Sequence, residues 1–185
     1  MNEFLDLLLT IGLTIAVTLG QCTDLFVAWF WDTFGSEITI LHRHSVVLRM
    51  FVATICGALV GLEREAAAKP AGLRANMFIC TGSALFTLAG IIGLEVTAGA
   101  PPTADAMRVA AQIVTGVGFL GAGVIYKSDG QITGITTAAT IWFVAAIGMM
   151  VAIGFPMFGF LVAVVSAISL FALGRFERLF PSLPK

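Results

Sequence analysis

Five charged side chains crowd into one short stretch of a chain that otherwise carries few. Only 11% of the residues are Asp, Glu, Lys or Arg, and the stretch holds Glu63, Arg64, Glu65, Lys69 and Arg74 between two apolar runs. A hairpin between helices needs only a few residues and no particular charges. Mixed-sign side chains at two helix ends therefore favour an ordered ion-pair site, with Glu63 and Arg64 capping one helix and Arg74 pointing toward the bundle.

A second group of polar side chains interrupts a later apolar run. Arg108, Gln112 and Thr115 follow one another at helical spacing, which places them on one stripe of a helix. A charge at the bilayer centre costs at least ~2.5–3.5 kcal/mol. The stripe is therefore either an arginine that reaches the surface beside an interhelical hydrogen bond, or part of a polar interior. Thr137 lies in a third group, where threonine hydroxyls often bond back to the helix backbone.

Other kinds of chemistry have weaker support. No nucleophile–base pair is recognisable, so we expect no enzymatic activity and no catalytic residue. His42 and His44 point to different faces of any helix and have no carboxylates at ligand spacing, so they do not form a metal site. We predict no cofactor, and the sequence leaves any metal ligands undefined. The net charge of −1 gives no indication of nucleic-acid binding.

The composition identifies lipid as the solvent for most of the surface. Hydrophobic residues make up 58% of the chain and its mean hydropathy is +1.00. A soluble domain carries roughly 25% charged residues, more than twice the fraction found here. There is too little polar material to build a water-facing shell around a core. At 185 residues the chain is expected to be a single membrane domain, 1–185.

We therefore predict an all-α fold, a polytopic transmembrane bundle of about six membrane helices with short connecting loops. A helix needs roughly 20 apolar residues to cross the hydrocarbon. The candidate segments are Phe4–Phe30, Val46–Leu62, Leu73–Leu94, Ala106–Tyr126, Ile135–Ile153 and Phe155–Leu173. The breaks between them are Asp32–Ser45, Glu63–Gly72, Glu95–Asp105, Lys127–Gly134 and the hinge around Gly154–Pro156. The cysteines are interpreted as small buried hydrophobes: Cys22, Cys56 and Cys80.

The basic residues predict the orientation, because cytoplasmic loops carry an excess of Lys and Arg. With six helices, both termini lie on the same side of the membrane. That side receives Arg64, Lys69, Arg74, Lys127, Arg175, Arg178 and Lys185, and the other side receives Arg43, Arg49 and Arg108. The split of seven against three favours cytoplasmic termini.

Glycines predict close helix packing. Gly116, Gly118 and Gly121 match the G-x-G-x-x-G spacing of a nucleotide site, but they lie in an apolar helix candidate without any βαβ unit. Small residues on a membrane helix instead allow neighbouring helices to approach closely, within the chain or in a homodimer or larger homo-oligomer. The predicted packing residues are Gly57, Gly61, Gly116, Gly118, Gly121 and Gly123.

Three blocks of sequence carry a family resemblance. GLEREAAAKPAGLRAN (Gly61–Asn76) resembles the cytoplasmic loop signature of the MgtC/SapB membrane family. RVAAQIVTGVGFLGAGVI (Arg108–Ile125) is similar to its second signature, and GITTAATIW (Gly134–Trp142) to its third. The resemblance covers a core of residues 46–173, and the family core has five membrane helices. Residues 1–31 are then an additional N-terminal helix.

The resemblance implies a bacterial inner-membrane protein linked to growth at low magnesium, stress adaptation and survival inside host cells. Members are often labelled magnesium transporters, and others are thought to bind membrane proteins such as the rotary ATP synthase. Some members carry an ACT-like cytosolic domain after the last helix, which we expect to be lacking here. Some virulence-related members have Asn where this chain has Thr136 and Cys where it has Phe143.

Two functions follow as hypotheses. The first is a regulatory or interaction protein that responds to magnesium or stress by contacting another inner-membrane protein. The second is a small-solute or ion permease, for magnesium or an anion. Magnesium favours carboxylates plus retained waters, and Glu63, Glu65 and Asp129 are available only at the cytoplasmic edge, while interior arginines favour an anion.

The polar residues of the three blocks suggest one functional cluster among the second, third, fourth and fifth helices. A straight helix would separate Arg74 from Arg108 by most of ~30 Å, so a single cluster requires a broken helix or a deep cavity. Two separate sites, one in each region, are the alternative. The residues of the predicted cluster are Glu63, Arg64, Arg74, Asn76, Arg108, Gln112 and Thr137.

Overall fold

The computed structural model describes residues 2–96, 106–128 and 131–179. Within them the fold is all-α with six helices, as the sequence predicts. A two-stranded hairpin, β1 (Tyr126–Ser128) and β2 (Gln131–Thr133), joins two of the helices. The helices are α1 (Asn2–Arg43), α2 (Val46–Ala66), α3 (Leu73–Val96), α4 (Ala106–Gly123), α5 (Ile135–Ile153) and α6 (Pro156–Leu179).

The first helix is longer than the sequence indicates. Asp32–Ser45 was predicted to be a loop, and this prediction is wrong because α1 continues to Arg43. Its polar side chains support the helix: the Ser36 hydroxyl donates to the Thr33 carbonyl and the Thr39 hydroxyl to the Gly35 carbonyl. The helix ends only where Ser45 adopts a left-handed backbone conformation, φ 50°. The additional N-terminal helix therefore extends beyond the predicted boundary at residue 31.

The chain divides into two compact units. Residues up to His44, which are almost entirely α1, form the first, and the residues from Ser45 onward form the second. In the first unit, Phe26, Trp29, Phe30 and Trp31 are exposed, and neighbouring rings contact one another along the helix surface. Whether the chain acts as a single membrane domain stays a prediction.

The segment Lys127–Gly134 was predicted to be a plain break, and it forms the hairpin. Tyr126 pairs with Thr133 and Lys127 with Ile132 in an antiparallel register. The prediction that the fourth helix reaches Tyr126 is therefore wrong: α4 ends at Gly123, and Tyr126 begins β1. Gly134 starts α5 with φ 90°, a conformation that glycine adopts without steric cost.

Lipid-facing helices surround the core of the second unit. Four helices of the described chain, α2, α3, α5 and α6, are long and apolar enough to span a membrane. Their outward faces carry exposed apolar side chains such as Phe78, Phe86 and Met157. An apolar surface of this extent suits hydrocarbon, in which helices satisfy all their backbone hydrogen bonds internally.

Glycines on α2 determine how closely the helices pack. A Cβ atom added at Gly57 would lie 2.9 Å from the Cβ of Cys80, and one at Gly61 would lie 2.7 Å from the Cα of Leu73. The positions of these contacts show that α2 and α3 run antiparallel. A Cβ atom added at Gly148 of α5 would overlap the Cys80 carbonyl oxygen. Three helices thus meet backbone to backbone at the centre of the unit.

Polar contacts hold the ends of the helices in register. The Arg49 Nη1 donates to the Ala152 carbonyl at 2.6 Å, so a cation satisfies an orphan carbonyl at the C-terminus of α5. The hydroxyls of Thr54 and Thr81 hydrogen-bond across the α2–α3 contact at 2.9 Å. In the sequence, Arg49 is recognisable only as a basic residue, and its contact with α5 could not be inferred.

We expect Gly57→Leu to disrupt the second unit, because the added side chain would overlap the backbone of α3. Overpacking of a well-packed core costs typically about 1–3 kcal/mol, and occasionally more. The measurement is the midpoint of thermal unfolding in mild detergent. Gly118→Leu is the matched control, since a Cβ at Gly118 meets nothing within 4 Å. Equal midpoints for the two variants would contradict the packing described here.

Candidate functional site

The C-terminal turn of α2 holds an ion pair shielded from solvent. The Arg64 Nε donates to one carboxylate oxygen of Glu63 at 2.7 Å, and an Nη donates to the other at 3.2 Å. Arg64 is only 5% exposed. A guanidinium at a helix C-terminus interacts favourably with the helix dipole, whereas a carboxylate there does not. The arginine therefore compensates the glutamate at this position.

Glu65 links α2 to the start of α3. Its Oε2 accepts a hydrogen bond from the backbone N–H of Leu73 at 2.9 Å, which satisfies one of the orphan donors at the beginning of α3. A carboxylate at a helix N-terminus is also favoured by the dipole. Gly72 lies so close to this carboxylate that any side chain at residue 72 would displace it. The loop thus needs both the acid and the glycine.

Asn76 fixes the loop from inside the bundle. The residue is fully buried, and its Nδ2 donates to the carbonyls of Gly72, at 2.9 Å, and Ala71. Ala68 and Ala71 have positive φ angles of 51° and 56°, which cost energy in residues with a Cβ. The Oδ1 of Asn76 is buried and accepts no hydrogen bond from any residue in the described ranges.

The start of α5 lies at the same end of the second unit, which we call the loop end. Ala71 packs against an apolar cluster that includes Val117 of α4 and Ile141 of α5. Gly121 of α4 meets Ala138 of α5, with 3.5 Å between a Cβ added at the glycine and the alanine Cβ. Thr137, next to Ala138, is 3% exposed. The structure therefore brings Glu63, Arg64, Asn76 and Thr137 to one end, as the sequence predicts.

The remaining three members of the predicted cluster are exposed. Arg74 is exposed, although it was predicted to point toward the bundle. Arg108 and Gln112 are exposed in the first turns of α4, where Val109 packs against Gly90 of α3. At 1.5 Å per residue, Arg108 lies about 20 Å along the axis from the loop end.

The fold separates the seven residues into two groups. A single cluster required either a broken helix, for which Gly116–Gly123 was the candidate, or a deep polar cavity. The helix is not broken there, because α4 is continuous from Ala106 to Gly123. The fold has two separate polar regions instead. We call the second of them the Arg108 end. The functional roles assigned to these residues stay predictions.

The four predicted packing glycines of α4 differ in what lies next to them. Gly121 lies against Ala138 of α5. At Gly116, Gly118 and Gly123, an added Cβ would meet nothing within 4 Å among the parts of the chain that the structure describes. The packing roles of these glycines, within the chain or in an oligomer, stay predictions.

An apolar groove opens beside the ion pair. Its volume is about 400 Å³, and it lies between the C-terminal turn of α2 and the last turns of α6. Glu63 lines one side and Arg175 the other, with Ile168 and Phe171 between them. The loop end therefore presents charged groups next to apolar surface. Among the described residues, no group of three or more His, Cys, Asp or Glu side chains could hold a metal ion.

Comparison with known proteins identifies the family of this chain. The model of the MgtC family matches residues 50–179, which run from the first turn of α2 to the end of α6. The chain belongs to the MgtC family. The family match contains both polar regions described above, while α1 lies outside it.

Relatives of the MgtC-family chain are similar over much of this match. "Putative magnesium transporter YhiD" of Escherichia coli K12 is 44% identical over 109 residues, 58% of this chain and 51% of YhiD. "Protein MgtC" of Salmonella typhimurium LT2 is 41% identical over 108 residues, 58% of this chain and 43% of MgtC. The chain spans about half the length of the curated relatives it matches. No solved structure matches.

Asn76→Asp should destabilise this MgtC-family fold, although the two side chains have nearly the same shape. The carboxylate would face two backbone carbonyls, with two hydrogen bonds lost and a charge buried. These losses amount to roughly 2–4 kcal/mol, measured as a lower midpoint of unfolding in detergent. Arg74→Gln, at an exposed residue in the same turn of α3, is the control and should change little. An unchanged midpoint for Asn76→Asp would show that the loop does not depend on Asn76.

Proposed function

We propose that this protein is a regulatory or interaction protein of the bacterial inner membrane, linked to magnesium limitation or stress adaptation. It acts by contacting another membrane protein and does not itself move magnesium across the bilayer. The link to magnesium rests on the name of the relative YhiD. We also propose that the chain is not an enzyme and binds no nucleic acid.

The observation that carries this proposal is the tight packing between α2, α3 and α5. At Gly57 the space is too small for a methyl group beside Cys80, and Gly148 lies against the Cys80 carbonyl from the other side. Magnesium gives up its hydration waters reluctantly and needs room for several of them. Backbone contacts at this depth leave no such room between these three helices, which supports a role other than conduction.

The loop end supplies a surface suited to a protein partner. The groove beside Glu63 has a volume of about 400 Å³ and an apolar floor formed by α6. Arg175 is exposed at its rim, while the charge of Glu63 is compensated by Arg64. The groove therefore carries an excess positive charge. A membrane helix that presents an acidic side chain next to Arg175 is the partner that this chemistry fits best.

A specific observation also supports the permease as the second candidate. Asn76 is buried with an unsatisfied Oδ1, and Thr137 is buried at the same end of the bundle. Polar groups inside a membrane bundle often mark a solute path. The orphan oxygen could bind a passing ion or a water molecule, so the loop end would then be the entrance to a path.

Growth and flux measured together separate the two functions. A strain that lacks the gene should regain growth at limiting magnesium when it expresses the protein, while purified protein in liposomes should give no magnesium influx above that of empty vesicles. Arg175→Glu should abolish the growth effect, because it reverses the charge at the rim. Lys127→Glu, which reverses another exposed charge outside the groove, is the control.

Saturable magnesium influx into these liposomes would contradict the proposal. In that case Asn76 would become the first residue to test in a path, with Asn76→Ala expected to change the rate of influx. The same flux experiment should also test a series of anions, because a buried arginine such as Arg64 favours an anion over a cation.

We propose that both termini lie in the cytoplasm, as the excess of basic residues favours. Arg64, Lys69 and Arg74 lie at or next to the loop end, while Arg49 binds the opposite end of α5. Reporter fusions after Lys185 and at the turn between His44 and Ser45 should therefore report opposite sides of the membrane. The second fusion point is chosen where α1 ends, so that the helix stays intact. Reporters on the same side would contradict this topology.

Association into a homodimer or larger homo-oligomer is part of the proposal. It rests on Gly118 and Gly123 of α4, where an added Cβ would meet nothing within 4 Å among the described residues. Small residues on a membrane helix allow another helix to approach closely. A second copy of the chain can therefore pack against these positions.

A further inference from the structure

A second groove lies on the lipid-facing surface between α3 and α4. Its volume is about 450 Å³. Glycines line it, and an added Cβ at either Gly82 or Gly116 would meet nothing within 4 Å. The exposed rings of Phe78 and Phe86 also line it, one helical spacing to either side of Gly82. Apart from Ser83 and Gln112, the side chains that line the groove are apolar.

Two polar side chains line this groove. Ser83 is 4% exposed. Gln112 is exposed on α4, and its amide can donate hydrogen bonds. A polar group in hydrocarbon without a partner costs several kcal/mol. The groove therefore suits a molecule that can accept a hydrogen bond at the depth of Gln112.

Polarity decreases along the groove from the Arg108 end inward. The contact between Val109 and Gly90 shows that α3 and α4 run antiparallel here, so Gln112 lies one turn deeper than Arg108 and Ser83 lies near the level of Gly116. Beyond them only apolar side chains such as Leu120 follow. With increasing depth, the side chains change from a charged group to an amide, then to a hydroxyl and finally to hydrocarbon.

This succession matches the chemistry of a membrane phospholipid. Arg108 and Gln112 are separated by about 6 Å along the helix axis. The polar layer of one leaflet is about 5–8 Å thick, since a bilayer of ≈ 40–45 Å has a hydrocarbon core of ≈ 30 Å. A phosphate at Arg108 thus places the ester carbonyls of the same lipid near Gln112. The positive end of the α4 dipole adds to the attraction of an anion at Arg108.

We propose that this groove binds an anionic glycerophospholipid from the leaflet at the Arg108 end. The Arg108 guanidinium pairs with the phosphate, and the Gln112 amide donates to an ester carbonyl. One acyl chain lies over Gly82 and Gly116, between the two phenylalanine rings. The site is separate from the loop end and does not depend on the proposed function.

A second copy of the chain fits this groove less well. A two-fold contact through the same face of α4 would bring the Arg108 side chains of both copies to the same membrane depth. Like charges in a medium of low dielectric constant repel strongly. The Gln112 amide is also complemented by the ester carbonyls of a lipid, which accept hydrogen bonds. The charge and the hydrogen-bonding groups both favour the lipid.

Native mass spectrometry of the full chain tests the proposal. The protein is released from nanodiscs that contain equal amounts of phosphatidylglycerol and phosphatidylcholine, and the retained lipid is counted. We expect phosphatidylglycerol to be retained preferentially. Arg108→Gln should lower this preference about fivefold, as for the loss of one basic contact at a membrane surface. Gly116→Leu should remove retention of both lipids, because the new side chain fills the groove.

Gly118→Leu is the matched control, since it adds the same side chain on α4 outside the groove, where an added Cβ also meets nothing within 4 Å. It should retain lipid as the unmodified chain does. Unfolding midpoints verify that all variants fold. Equal retention by Gly116→Leu and Gly118→Leu overturns the proposal, as does equal retention of the two lipids by the unmodified chain. Dissociation of a dimer by Gly116→Leu with lipid retention unchanged identifies a protein contact instead and also overturns it.

Discussion

The close approach of α2 to α3 is the constraint on which the second unit depends. In hydrocarbon there is little hydrophobic drive between helices, so association relies on van der Waals contact at short range and on a few hydrogen bonds. Gly57 and Gly61 allow the α2 backbone to reach Leu73 and the turn that follows it. The hydroxyl pair of Thr54 and Thr81 lies in the same interface. Without this contact, α5 would lose the surface against which Gly148 packs.

The same constraint explains the character of the loop. Because α2 and α3 are so close, their connection must turn within a few residues, and Ala68 and Ala71 adopt left-handed conformations to do so. The cost is offset by Asn76, which binds the loop carbonyls from within, and by Glu65, which binds the first N–H of α3. The charged residues of this stretch are therefore structural elements first, and their exposed parts remain available for a partner.

Sequence reasoning could predict what depends on hydropathy and helix termination. The helix starts at Val46, Leu73, Ala106 and Ile135 are confirmed, since each follows a break that polar residues, glycine or proline impose. Residues Asp32–Arg43 were misjudged because polar side chains do not end a helix when they bond back to its own carbonyls. The hairpin was missed because its strands are only three residues long and carry too little periodicity to detect.

The sequence was enough to predict which residues form the candidate site at the loop end. It was not enough to predict how far the site extends. Glu63, Arg64 and Asn76 are recognisable because polar groups beside apolar runs are costly unless they have partners. Spacing along one helix cannot place that helix against another, so only the fold could show that Arg108 lies about 20 Å along the axis from the loop end. Two polar regions on opposite sides of a closely packed centre can influence each other only through the helices that connect them. Two helices do so: α3 reaches from Asn76 to the Gly90–Val109 contact, and α4 reaches from Arg108 to the Gly121–Ala138 contact. Any coupling between the two ends would therefore involve a shift of α3 or α4 against its neighbours.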